Sequence, residues 1–539
     1  MASSMHWADQ LADKIIERSK KEKRKPNVKC QQTPSGGKHI GNLCDVLRAW
    51  FPAKAVRERK VDCEFVHTTD DRDPLKDVPA RIADLDAKWH DAKEFPEMGK
   101  YLGQPLCRIP DPFGCCDTWS EHFTEVWMRG VYALDVHPEL YSVNSLYEEG
   151  KLEPYVRKVF ENAEEAGRLV AKFQATKSEK YIPFDAICPE CGVLTNVDSF
   201  DLDNKTVHFV CGGKSIKKKK AEGCGREGEV PWSEGKLQWR FEWPALMGLF
   251  KTTYEPFGKD HYEGSWKSAL EIMPKIFELE PPIPFVYEFF LVNGEKMSAS
   301  KGNVYLVQDM MKIMEPEAFM YFYVKRPEKQ RDFDLSRIFQ LVDEFDEAER
   351  AYFGESTGKS EAKEENTRRM YELAVSSVPD KPPKRVSYSF AAALSQVLDE
   401  DATIAKLKEL GHLKGATKQD EENCRKRLRL AKNWIETFAG DEFKVKIIPA
   451  AQAQEKYVLL SDAQKRVLSE FAGVLLKGGS EEEQGAEAKR LCAEHGIATQ
   501  DFFKASYAIL LGKEKGPRLI PFVNALDKNL VARRFRGED

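Results

Sequence analysis

The run NVKCQQTPSGGKHIGNLCDVLRAW, residues 27–50, constrains the fold more than any other part of the chain. Its first four residues are β-like, and Leu43, Val46, Leu47 and Trp50 recur at helical spacing, so the piece between is a strand-to-helix turn. Thr33, Pro34, Ser35, Gly36, Gly37 and Gly41 fill a core poorly. Glycines let an anion approach the backbone, and the bare amides of a first helical turn attract negative charge, so the turn suits a phosphate. Lys38 and His39 add donors. Read alone, HIGN is equally well a plain βα connection with a surface histidine. CEFVHTT at 63–69 is a second strand after the helical stretch 43–59, which begins a doubly wound parallel α/β sheet. Asp70 and Asp71 end that strand on the crevice side, where DDRDPL also reads as a helix-capping turn.

A second segment, VYEFFLVNGEKMSASKGNV at 286–304, passes from an aromatic strand-like run through a glycine turn into a loop with Lys296, Ser298, Ser300 and Lys301. Two ammonium groups and two hydroxyls on one loop suit a triphosphate whose leaving pyrophosphate gains charge. With 539 residues, several domains are expected. No run approaches the ~18 apolar residues of a membrane span, and the N-terminus lacks a signal-type apolar core, so a soluble, cytoplasmic protein is expected. A net charge of −5 disfavours nonspecific coating of polyanions but permits a local basic track for nucleic acid.

HIGN at 39–42 with KMSAS at 296–300 resembles the HIGH and KMSKS motifs of class I aminoacyl-tRNA synthetases. MHWADQLADKI, TPSGGKHIGN, DDRDPLKDVP, PDPFGC, LQWRFEWPALMGLF, EPFGKDH, YEFFLVNGEKMSASKGN and LLGKEKGPRLIPFV resemble, in that order, the class I lysyl-tRNA synthetases, from near residue 5 to beyond 520. The resemblance implies a lysine–tRNA ligase: lysine and ATP with Mg2+ give lysyl-adenylate and pyrophosphate, and lysine passes to the 3′ end of tRNA(Lys). It implies a Rossmann-like catalytic domain of the HIGH/KMSKS type, a zinc-containing insertion, an all-α C-terminal anticodon-binding domain, and a monomer. His39, Asn42, Lys296 and Lys301 are the expected catalytic residues, with Pro34, Ser35, Gly36, Gly41, Met297, Ser298 and Ser300 completing the ATP site. For lysine, whose ammonium must be desolvated against a carboxylate or aromatic faces, Thr33, Trp239, Glu242, Trp243 and His261 are expected. Core packing is the expected role of at least one of the two tryptophans.

The chain departs from the family where Gln31 replaces a glycine, where EGSWKSA follows GKDH, where RFEWP carries Glu242 instead of an aspartate, and at Ala299, the fourth position of KMSKS. These departures keep two alternatives open: a tRNA-binding scaffold without catalysis, or a class I enzyme for another amino acid.

Twelve cysteines in an intracellular chain point to metal before disulfides. Cys188 and Cys191 form a CxxC, and with Cys211 and Cys224, each followed by glycine like Cys191, they suit a structural zinc. Asp111, Cys115, Cys116 and His122 offer a mixed second set around a tight turn, a reading the resemblance supports; a packed cysteine pair is the alternative. The lysine-rich KSIKKKKAE within the first cluster reads as a solvated loop or as a contact to the tRNA backbone.

The expected domains are 1–175 and 236–330 for the two catalytic halves, 176–235 for the zinc insertion, 331–385 for a stem-contact linker, and 386–539 for the helical anticodon-binding domain. ESTGKSEAKEEN at 355–366 is polar enough for a linker. Val467, Leu468, Phe471 and Leu475 mark one helix face, and Phe503, Tyr507 and Leu510 another that Gly512 can end. CRKRLRLAKNW at 424–434 could meet phosphate, although such faces are more often only solvated.

Overall fold

The structure, a computed structural model, describes residues 5–174, 177–216, 219–297, 303–325, 327 and 329–538. It resolves into two compact units, the first comprising residues 1–309, 320–333 and 372–376, the second the remainder.

The first unit is built on a five-stranded parallel sheet of β1 (Asn27–Gln32), β2 (Glu64–Thr69), β5 (Glu139–Ser142), β6 (Tyr254–Gly258) and β7 (Ile283–Tyr287). Between β2 and β5 a short antiparallel hairpin, β3 (Arg81–Ala83) with β4 (Trp89–Asp91), lies outside the sheet. The spatial order is β7-β6-β1-β2-β5. The chain winds outward from β1 to β5 and then returns on the other side of β1 with β6, so the order reverses there and a crevice opens at the strand C-termini. Helix α1 (Leu43–Glu58) follows β1 and buries Val46, Leu47, Phe51 and Val56 against the sheet. The sheet interior also holds an ion pair, Lys29 Nζ to Glu255 Oε1 at 2.9 Å, with both side chains fully buried.

Helix α2 (Trp119–Tyr132) precedes β5, and α3 (Trp239–Leu249) precedes β6. Between them, residues 184–237 form two three-stranded antiparallel sheets and a two-stranded ribbon, Lys214–Ile216 with Lys219–Ala221, and the four clustered cysteines lie in the connections between these strands. The aromatic run expected as a strand at 286–290 is strand only to Tyr287; β7 begins earlier, at Ile283, because its pairing with β6 runs from Tyr254↔Ile283 to Gly258↔Tyr287.

The second unit is helical apart from its loops among the described residues. Val467, Leu468, Phe471 and Leu475 on helix Asp462–Lys477 pack with Phe502, Leu510 and Phe535. Phe502 takes the core position expected of Phe503, which is half-buried, and Gly512 caps its helix at φ +69°. The stretch 355–366 is not wholly a linker. Helix Glu361–Ala374 starts inside it, and Glu364 anchors the preceding turn by accepting from Thr357 N at 2.8 Å and its hydroxyl at 3.1 Å. The basic run at 424–434 spends its arginines internally: Arg427 is buried between Glu315 and Asp346, each at 2.6 Å, while Arg425 and Arg429 pair with Glu400 and its neighbours. No described helix is long and apolar enough to cross a membrane.

Candidate functional site

Residues 33–42 leave the C-terminus of β1 at the crevice and lead into α1. His39 is extended at φ −85° and starts a short 3-10 turn, Ile40–Asn42; Asn42 Oδ1 accepts from the His39 amide at 3.2 Å, fixing both residues of the motif. A Cβ placed on Gly41 would stand 2.8 Å from the His39 ring and 2.9 Å from the Met297 methyl. The glycine is therefore required, and Met297 of the KMSAS segment lies against the HIGN turn. Behind it, Ile40 N donates to Tyr305 O at 2.9 Å, which ties the chain after KMSAS to the same turn. Lys296 is exposed and its ammonium sits 4.6 Å from the centre of the Phe289 ring. Burial, then the charges of Lys38 and Lys296, lowers the His39 pKa to about 4, so its ring is neutral near pH 7. Ser298, Ser300 and Lys301 lie outside the described residues.

Next to this turn a cavity of about 570 Å³ is lined by Gln31, Thr33, Asn42, Trp239, Trp243 and His261, together with the carboxylates of Asp45, Asp70 and Asp73. Trp239 and Trp243, one helical turn apart on α3, stack with ring centres 5.5 Å apart and planes 8° apart, and His261 lies about 6 Å from both, at 6.1 and 5.9 Å. Trp243 is 1% exposed and donates to Glu255 Oε1 at 2.7 Å, so much of its surface is core; Trp239 is half-buried.

Glu242, expected to receive an ammonium, requires a correction. It is fully buried, does not line the cavity, accepts from Tyr147 OH at 2.9 Å and pairs with Lys236 at 2.8 Å. Lys236 also meets Asp73 at 2.6 Å, and Asp73 takes Lys76 at 2.8 Å, so two carboxylates and two ammonium groups balance one another there.

Among the described residues, Asp45 and Asp70 are the lining carboxylates that make no ion pair. Burial, with Asp73 and Glu242 nearby, raises Asp70 to about 7; its Oδ2 accepts from Thr33 at 3.3 Å, and its Oδ1 is buried without a hydrogen-bond partner. Burial likewise lifts Asp45 to about 7, although the Tyr287 hydroxyl donates to it. A cationic ligand would relieve both groups. Sequence reading missed them as ligands, although Asp45 follows Asn42 by three residues and so shares its face of the chain.

Two further clusters form. Cys188, Cys191, Cys211 and Cys224 bring their sulfurs within 4.8 Å of one another. The Cys188–Cys224 and Cys191–Cys211 separations are both 3.6 Å, against about 3.8 Å for the edge of a tetrahedral zinc–thiolate site. Gly192 and Gly225 turn the chain behind two of them at φ +72° and +78°, and the amides of Glu190 and Cys191 face the Cys188 sulfur. This donor set fits a metal ion. In the second, Asp111, Cys115, Cys116 and His122 also lie within 4.8 Å. The Asp111 carboxylate accepts from the Cys115 and Cys116 amides, each at 2.8 Å, and His122 Nε2 meets Ala83 O at 2.9 Å, which aims Nδ1 at the cluster. These residues too fit a metal ion.

Lys214, from the lysine-rich stretch, pairs with Asp185, and both line the cavity. Lys217 and Lys218 lie outside the described residues.

The profile of the family described as tRNA synthetases class I (K) matches residues 5–377. The chain is 36% identical to a lysine–tRNA ligase of Natronomonas pharaonis, over 99% of this chain and 97% of that one. It is 37% identical to a lysine–tRNA ligase of Haloarcula marismortui, over 100% and 98%, and 32% identical to one of Pyrococcus horikoshii, over 99% and 100%.

Proposed function

The chain belongs to the tRNA synthetases class I (K) family, and on that premise we propose that it is a lysine–tRNA ligase, which activates lysine with ATP and transfers it to tRNA(Lys). The observation that most supports this reading is the meeting of Met297 with Gly41 beside a cavity holding two carboxylates that make no ion pair among the described residues. Lysine brings two ammonium groups.

In the first step the lysine carboxylate attacks the α-phosphorus of ATP; the bond from that phosphorus to the bridging oxygen breaks, and pyrophosphate leaves with the electron pair. The nucleophile has no proton to lose, so alignment and charge stabilisation carry the step. His39, neutral, donates to the phosphates with Asn42, and Lys296 neutralises the departing pyrophosphate. Lys301, Ser298 and Ser300 are assigned to the same anion on sequence alone. Pro34, Ser35, Gly36 and Gly41 give the nucleotide a close backbone wall, and Mg2+ enters with ATP. In the second step a ribose hydroxyl of the tRNA 3′ end attacks the acyl carbon of the adenylate and AMP leaves.

Asp70, tied through Thr33 to the phosphate turn, holds the α-ammonium next to the reacting carboxylate, leaving Asp45 for the ε-ammonium. Trp239 and His261 wall the alkyl chain. Because both carboxylates stand at about 7 in the free protein, they are protonated below that pH and anionic above it. Lysine KM is therefore expected to fall as pH rises from about 6 to about 8 and then to level. Steady-state kinetics across that range would check it, and a KM that rises with pH would contradict it.

We assign zinc to both clusters, where it would hold the loops that carry its ligands; the helical unit is the anticodon-binding domain, and the protein works in the cytoplasm. Metal analysis of protein purified without added zinc should return about two ions per chain. Cys191→Ser should lose about one of them and lower the melting temperature. The function itself is tested by charging tRNA(Lys) with labelled lysine; tRNA binding without charging would favour a scaffold.

A further inference from the structure

We infer that Arg81 binds the pyrophosphate end of ATP. This rests on the reading of residues 33–42 as the phosphate turn.

A second, smaller cavity of about 130 Å³ lies against that turn, lined by Ser35, Gly36, Gly37 and His39 of the turn, by Pro79, Arg81 and Trp89, and by Val304 from the segment that follows KMSAS. Among the described residues no carboxylate lines it and Arg81 brings a positive charge to it, while Ser35 is approached by Lys38 Nζ at 3.3 Å. Arg81 itself is exposed, and among the described residues its guanidinium makes neither an ion pair nor a hydrogen bond. It stands over the Trp89 ring, 5.4 Å from its centre. A solvated arginine is ordinary; the support beneath this one is not. A Cβ on Gly37 would lie 2.9 Å from Trp89, and one on Gly36 would lie 2.9 Å from Pro79, so the segment carrying Arg81 is seated directly on both glycines. From behind, Ala83, which pairs with Trp89 across the hairpin, is held through its carbonyl by the buried His122. The guanidinium is thus carried by a hairpin packed onto the turn and anchored in the interior.

The sequence leaves room for a further cation beside Lys296 and Lys301. Position four of the KMSAS segment is Ala299, where the motif it resembles has lysine. A planar guanidinium can meet two phosphate oxygens at once, which suits it to a leaving pyrophosphate.

The test is lysine-dependent pyrophosphate exchange with ATP varied, together with competition by inorganic tripolyphosphate, on full-length Arg81→Ala, Arg81→Lys and Trp89→Ala proteins. Arg81→Ala should raise ATP KM by about tenfold to a hundredfold, the range for one hydrogen bond to a charged group. It should weaken tripolyphosphate inhibition in parallel and leave lysine KM and metal content at the parent values. Arg81→Lys should recover part of the loss, and Trp89→Ala, if it folds, should show the same ATP-side defect. Parental ATP KM and parental tripolyphosphate inhibition in Arg81→Ala would overturn the inference while the parent enzyme still exchanges. A parent that does not exchange at all would instead remove the phosphate-turn reading beneath it.

Discussion

His39→Ala is expected to lower the turnover of lysine-dependent pyrophosphate exchange by about two to three orders of magnitude, with lysine KM changed by no more than about twofold. The ring sits at the start of the turn with Asn42 fixed beside it and Met297 close by, which on the proposed reading sets it against the nucleotide and not the amino acid. Burial lowers its pKa to about 4 in the free protein, so near neutrality the ring enters as a neutral donor and not as an imidazolium. Its contribution is a fixed dipole placed where charge builds on the phosphates, which costs little reorganisation at the moment of reaction. Two checks separate this from acid–base catalysis. His39→Asn, which keeps a donor, should retain more turnover than His39→Ala, and parental turnover should show no limb attributable to this imidazole between about pH 5.5 and 9. A turnover limb near pH 6.5 that vanishes in His39→Ala would contradict the account.

The second large effect falls on substrate choice. Asp45→Asn preserves the volume of the side chain and its capacity to accept from Tyr287, so folding should be little disturbed. It removes the charge that the ε-ammonium would meet in a buried setting, a loss of about 2 to 4 kcal/mol, or roughly thirty- to a thousandfold in kcat/KM for lysine. Norleucine lacks that ammonium and should lose almost nothing. The ratio of lysine to norleucine activation should therefore collapse in the variant, a readout that general damage to the fold would leave in place. The pH dependence of lysine KM should shrink as well, because one of the two groups titrating near 7 is gone.

Much of the frame was legible because it rests on local chemistry. The turn at 33–42 is announced by glycines between two periodic runs, and a CxxC with two glycine-flanked cysteines announces the cluster that the fold assembles. What was not legible depends on pairing across distance. Nothing in RFEWP reveals that the cation for Glu242 is Lys236 on the strand just before α3, or that Tyr147 completes its bonding. The sequence showed a carboxylate among aromatics; the fold had already neutralised it. Asp45 and Asp70 were overlooked for the converse reason, since only burial without sufficient cations marks them as waiting for a ligand. The hairpin bearing Arg81 and Trp89 has strands of three residues, too short for any periodicity to report. The basic run at 424–434 misled in another way, because charge density along a sequence does not say whether the charges face solvent or one another.

The central claim is that the HIGN and KMSAS segments hold one ATP beside a cavity whose carboxylates select an amino acid with two ammonium groups. The most direct measurement is exchange of labelled pyrophosphate into ATP by the purified chain, with each amino acid supplied in turn. Lysine should drive the exchange, with norleucine at least about a thousandfold weaker in kcat/KM, as expected where a site's buried polar groups would be left unpaired. Equal exchange with both amino acids, or none with lysine, would contradict it.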